Sequence, residues 1–288
     1  MKIIDTIPFF LDNYQPSIHF LRKYYNEYPD VFKEYFAYHC KDTEERHNKS
    51  IAKYPSFLSS IKQVHRQIIP IIQDITDEYF RIFHVSFPIE VHLIVGGFGS
   101  NAYTHRQIIP NITFALEKLS PEPDHLRAIV AHEFGHATQN IISNEAGMEW
   151  TALPWDSPLI WLNQEGAATH FSRRTVTNLS PSVYFSFDDA GGEWLNFTEA
   201  NKQAIKVEFA KDYATETPQT LFREWFSING GKRFGVSRLG YFLGDMFFQD
   251  QIKELGEKNA VIAWKEQEFE ARASNWLYQN VRVREKND

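Results

Sequence analysis

The chain has one cysteine, Cys40, in 288 residues. This excludes an intramolecular disulfide framework and any metal site built on several thiolates, and the expected role of Cys40 is a small buried side chain. No run approaches 18 uninterrupted apolar residues, so no membrane-spanning helix is expected. The opening stretch, Met1 to Tyr14, sets Asp5 and Asp12 around a short apolar run and lacks the basic start and cleavage site of a secretory signal. The expectation is a cytoplasmic protein. No basic run stands out, and 30 basic against 37 acidic residues give a net charge of -7, which argues against nucleic acid as a partner. A phosphate loop, a dinucleotide fingerprint and a nucleophilic Ser or Cys motif are all missing.

What is present is apolar and aromatic. With 43% hydrophobic and 15% aromatic residues, the chain can bury a large core as one big domain or two closely packed ones. From Pro16 to Phe83 the pattern is mostly helical, with breaks expected at Pro29 and Pro55 and a kink or stop at Pro70. The aromatics between Phe20 and Phe36 are expected to pack a core rather than line a ligand cage. His-Arg-Gln-Ile-Ile-Pro occurs at 65–70 and again at 105–110, but the flanking residues do not match, so it is read as coincidence.

The pattern changes at Ile89. Residues Glu90 to Val95 alternate and are rich in β-branched side chains, Gly96 to Asn101 reads as a turn or bulge, and a second short strand fits Ile112 to Leu116. Such a pair could form a sheet edge that holds an extended peptide, or an ordinary hairpin.

Next comes His132-Glu133-Phe134-Gly135-His136, inside a helical run from Leu126 to Ile142 whose start is punctuated by Ser120 to Asp124. Side chains four apart on a helix stand one above the other, so His132 and His136 can reach one metal ion. Glu133 leaves that line by one step and can reach a water beside the ion. Two histidines satisfied by core hydrogen bonds are the alternative. After a loop over 144–158, a second helical run from Leu159 to Ser172 offers Glu165 as a third ligand, with Gly166, Ala167 and Ala168 small enough to let the two helices approach closely. A set of two imidazoles and one carboxylate suits one zinc ion with a position left open for catalysis.

These motifs resemble the gluzincin zinc peptidases, whose third ligand is a glutamate on a downstream helix. The metzincin pattern is absent, since it would need a glycine at Gln139 and a histidine at Ile142. Aminopeptidase N-like enzymes have a segment similar to Trp161-Leu162-Asn163 and Glu165-Gly166, into which this chain inserts Gln164. Thermolysin-like enzymes carry an aspartate where this chain has Thr169. The closest overall likeness is to a bacterial family of predicted zinc-dependent proteases. It covers roughly residues 90–249 through the glycine turn, both metal-ligand motifs and Gly240-Tyr241-Phe242-Leu243-Gly244.

The expected fold is α+β and mainly helical, with a small β-sheet next to the metal-binding helix. The segments are a helical region over 1–85, a sheet with metal-binding helices over 86–175 and a helical subdomain over 176–288, possible as one compact unit. The resemblance implies a zincin-like arrangement and hydrolysis of peptide or protein substrates. His132, His136 and Glu165 would hold zinc, Glu133 would move the proton, and Tyr241 would donate to the oxyanion. Arg238, Gly97, Gly99 and Asn101 would bind substrate; His105, His170, Tyr103 and Tyr184 rank behind Tyr241. Further helices are expected over 192–212, 219–228, 236–255 and 260–278, before a charged tail. The alternative is a catalytically silent, metal-containing peptide-binding or regulatory module. Oligomeric state is not legible.

Overall fold

The computed structural model describes residues 1–279, so the charged tail beyond them lies outside the described residues. It is mainly helical with one small sheet, and it divides into two compact units, Met1–Ala137 and Thr138 onward. Among the described residues no helix is long and apolar enough to cross a membrane.

The first unit runs β1 (Lys2–Asp5), α1 (Ile7–Asn13), α2 (Ile18–Glu27), α3 (Pro29–Glu34), α4 (Glu44–Phe83), β2 (Glu90–Ile94), β3 (Ala102–Thr104), β4 (Ile112–Ala115) and the first turns of α5 (Pro123–Glu145). The sheet order is β1-β2-β4-β3. Strands β1, β2 and β4 are parallel and only β3 is antiparallel to its neighbour. The hairpin reading therefore fails: Val91 lies beside Ile112 in parallel register, with the glycine turn and β3 in the connection. Four residues are too few for β1 to announce itself by alternation, yet its pairing with β2 joins the N-terminal helices and the sheet in one unit.

Helix α4 also departs from expectation at Pro55, where a break was expected, because it continues through Pro55 and Pro70 for 40 residues. Both prolines lie on its exposed face, where the carbonyls left without an amide partner can turn to water. Its apolar stripe, Ile61, Val64, Ile68, Ile72, Ile75 and Tyr79, is buried at helical spacing. Thr43 caps its start by accepting the Arg46 amide at 3.3 Å. Pro29 does mark a break, as the first residue of α3. The duplicated hexapeptide is helical in α4 and irregular after β3, as coincidence requires. Phe20, Tyr24, Tyr25, Phe32, Tyr35 and Cys40 are buried.

Side chains enclose the turn after β2. Glu117 accepts the amides of Gly96 at 2.9 Å and Phe98 at 3.0 Å, and Tyr35 Oη accepts those of Gly97 at 2.7 Å and Gly99 at 3.1 Å. Tyr54 Oη donates to the Gly96 carbonyl at 2.6 Å, Arg46 to those of Gly97 and Phe98, and Lys118 to that of Gly99 at 2.8 Å. Every main-chain polar group from Gly96 to Gly99 thus has a partner, as a buried loop demands. Burial holds the Glu117 carboxyl above the usual carboxylate range, against the opposing pull of the two amides. Glycine is needed for closeness: a Cβ at Gly99 would lie 2.2 Å from the His39 carbonyl oxygen.

Beside the turn, Tyr103 is stacked between His39 and His105, with ring centroids 3.5 Å and 5.4 Å away. Burial, helped by neighbouring positive charge, pulls both histidines down to about 4.

The second unit holds the end of α5 and then α6 (Pro158–Thr175), α7 (Val183–Ser186), α8 (Gly191–Thr215), α9 (Pro218–Leu221), α10 (Leu239–Leu255), α11 (Glu257–Ile262) and α12 (Phe269–Tyr278). Its core gathers Leu159, Leu162, Phe209, Trp225, Leu243, Phe247 and Trp264. The run expected as one helix over 260–278 is broken between Ile262 and Phe269. The break lets Trp264 bury and donate its Nε1 to Ser143 at 2.7 Å, while Phe269 is buried as well.

Two outcomes follow from the first unit. Gly99→Ala should lower stability by about 1–3 kcal/mol in urea denaturation, because backbone must move to admit the methyl. Gly192→Ala, where a Cβ meets nothing within 4 Å, should not. Histidines held near 4 stay neutral in the fold while the unfolded chain protonates them around 6.5, so their contribution is complete above 6.5 and is lost as pH falls towards 4. The urea midpoint should drop over that window, and drop less in His39→Phe; an equal drop would show that His39 has no part in it.

Candidate metal centre

Helix α5 contains the whole stretch His132 to His136. Pro123 opens the helix, Ser120 Oγ accepts the Glu122 amide at 3.2 Å, and Ala128, Val130, Ala131, Phe134 and Ala137 bury its apolar side. Four-residue spacing brings the two imidazoles together, with ring centroids 4.9 Å apart and planes at 88°. His132 is 2% exposed and Glu133 8%, whereas His136 is half-buried.

Glu165, also half-buried, is on α6. One ligand atom each from His132, His136 and Glu165 lies within 4.8 Å of the others, the only group of at least three such side chains found among the described residues. Donors held at about 2.0–2.2 Å by one tetrahedral ion stand about 3.4 Å apart, so side chains spaced up to 4.8 Å can close on an ion by small rotamer adjustments. The carboxylate oxygen is a hard donor, but the two imidazole nitrogens are borderline ones, a pair that suits a transition metal or zinc better than calcium or magnesium. No family model, curated protein or solved structure matches the chain.

The backbone around Glu165 is set by an unusually close helix crossing. A Cβ on Gly166 would lie 2.1 Å from the Gly244 carbonyl oxygen, and one on Gly244 would lie 2.5 Å from that of Leu162. Gly166 thus makes its close approach to α10. Farther along, Gln251 donates to Asn163 at 3.0 Å and Arg173 pairs with Asp245 at 2.5 Å, so polar contacts on both sides hold the crossing in register.

Tyr241 is half-buried on α10, with the Arg238 guanidinium 4.1 Å above its ring. Arg238 caps that helix in a left-handed conformation, φ 63°, which costs a residue with a side chain about 1–3 kcal/mol. The same guanidinium is 5.7 Å from the ring of Phe187, itself left-handed at φ 59°. Gly97 and Gly99 have their main-chain groups engaged within the first unit, as described, and Asn101 Oδ1 accepts the Ala102 amide at 2.9 Å. Of the lesser candidates, His170 is held by Glu257 at 2.7 Å, with burial pulling it below its ordinary range. Tyr184 donates to the Val176 carbonyl at 2.6 Å, and Tyr103 and His105 belong to the stack beside the sheet.

Glu117 escaped notice in the sequence. Its signal was a carboxylate directly after an apolar strand, in a chain whose neighbouring strand ends in Gly96-Gly97.

Equilibrium dialysis should find one zinc per chain, and His136→Ala should abolish it. Gly166→Ala removes no donor, yet should weaken zinc binding about tenfold or more by displacing the helix that carries Glu165. Wild-type affinity in Gly166→Ala would mean that the α6–α10 crossing does not orient this ligand.

Proposed function

We propose that the chain is a zinc-dependent peptide hydrolase of gluzincin type with a zincin-like arrangement of metal-binding helices. The observation that carries this reading is the convergence of His132, His136 and Glu165 with a second carboxylate, Glu133, adjacent in sequence to the first donor. A site that held metal only for structure has no need of that extra carboxylate. Zinc bound by the three donors would act as a Lewis acid and lower the pKa of water to about 7.

The remaining steps belong to the chain's own groups. Glu133 takes the proton from the attacking water and returns it to the amine that leaves, so one carboxylate serves first as base and then as acid. Its place on the rigid middle of α5, away from the fraying ends, limits how far it can swing. Tyr241 donates its phenol proton to the oxygen on which negative charge develops. Arg238, stacked on the Tyr241 ring, adds positive charge next to that donor and makes the phenol a better one. Peptide or protein is the substrate class of this reading.

Glu133→Gln should keep a full complement of zinc and lose about 10²–10⁴-fold in kcat/KM on a mixed peptide library. Chelation should abolish cleavage by the wild-type protein, and added zinc should restore it. Wild-type rates in Glu133→Gln would refute this role for the carboxylate. Full zinc occupancy with no cleavage by the wild-type protein would favour a metal-containing binding module.

A further inference from the structure

Over its first three turns α6 leaves one narrow stripe accessible. Trp161, Gln164 and Glu165 are half-buried, while Leu159, Ile160, Leu162, Asn163 and Gly166 are buried. Trp161 and Glu165 are four residues apart and stand one above the other on this stripe. The side chain one turn before the carboxylate ligand is thus a large aromatic, and it does not stand alone.

The Phe222 and Phe226 rings meet Trp161 edge-on, with centroids 5.4 Å and 5.6 Å away. Phe222 and Phe226 stack on each other at 6.2 Å, and Phe226 is 6.4 Å from Tyr241. The assembly is held rather than loose. Trp161 Nε1 donates to the Trp155 carbonyl at 2.8 Å, which sets the turn of the indole, and a Cβ on Gly240 would come within 2.7 Å of the Phe226 ring. Phe222 and Phe226 sit at the two ends of a π-helical turn, a widened geometry that recurs at functional sites. Phe222 is 51% exposed, a degree of exposure that core packing does not account for.

We propose that Trp161, Phe222, Phe226 and Tyr241 form an aromatic wall that receives a large apolar side chain of the peptide substrate, one helical turn from the carboxylate ligand Glu165. This inference rests on the peptidase reading and deepens it by naming the substrate class. The occupant follows from the chemistry of the wall. Flat aromatic surfaces bury a phenylalanine or leucine side chain favourably, and a charged side chain would lose its hydration there with little return. Trp161 stands one turn before Glu165 on the same stripe of α6, which assigns the occupant to a substrate residue near the scissile bond.

The test uses full-length Glu133→Gln protein loaded with zinc, so that peptides bind without being cut. Two peptides identical except for a central Phe or Ala are titrated by calorimetry. The Phe peptide should bind about tenfold to a hundredfold more tightly. Adding Phe222→Ala should remove most of that difference, leaving zinc content and melting temperature unchanged. Because Phe222 is exposed, this variant is expected to fold; Trp161→Ala serves as a second. Equal affinity for the two peptides, or a preference that survives both substitutions, overturns the aromatic wall. Cleavage of the same peptides by zinc-loaded wild-type protein separates the two levels of the argument. If both are cut equally well, only the wall is lost; if neither is cut, the peptidase reading fails and this inference with it.

Discussion

The contact on which the candidate centre depends is between two backbones. Gly166 and Gly244 let α6 and α10 approach until the main chain of one helix touches that of the other, and any side chain at either position would collide with a carbonyl. Backbone is far less able to yield than the end of a flexible side chain, so the crossing is defined closely. Glu165 is the residue beside that crossing, and its carboxylate inherits the precision. A metal ion tolerates only tenths of an ångström in its ligand distances. Direct helix contact meets that demand better than a loop would.

The glycine turn of the first unit solves a different problem with similar means. A turn buried against α4 cannot leave amides and carbonyls to water, and the chain supplies a partner for each from Tyr35, Arg46, Tyr54, Glu117 and Lys118. Glu117 is the costly member, since a carboxylate without water is destabilised, and the two amides it accepts offset part of that cost. Gly97 and Gly99 were the residues expected to bind substrate, and the amides of both are held by Tyr35. In the second unit Trp161, Arg238 and Tyr241 are half-buried and keep some accessible surface.

Two of the five left-handed residues other than glycine among those described also meet there. Phe187 and Arg238 both adopt positive φ, and the side chain of one reaches the ring of the other. Neither conformation is favourable for a residue with a side chain, and both persist because packing around them determines the path of the chain. The result is a guanidinium set on the face of Tyr241.

Residue spacing alone determined the helix that carries His132 and His136. The periodicity of α5, its proline and polar start, and two histidines one turn apart are local facts, since a helix fixes the geometry of neighbours in sequence. The mainly helical α+β class, the helix carrying Glu165, the core role of the early aromatics and the burial of Cys40 were legible for the same reason. Tertiary structure decided whatever depended on partners distant in sequence. The pairing of Lys2–Asp5 with β2 turned a short apolar run into a strand, and parallel pairing of β2 with β4 replaced a hairpin. Water on the exposed face let α4 run through two prolines. Gly166 met Gly244, and the rings of Phe222 and Phe226 met Trp161, across 61 or more residues of chain. Periodicity says which face of a helix is apolar, but only folding decides what that face touches.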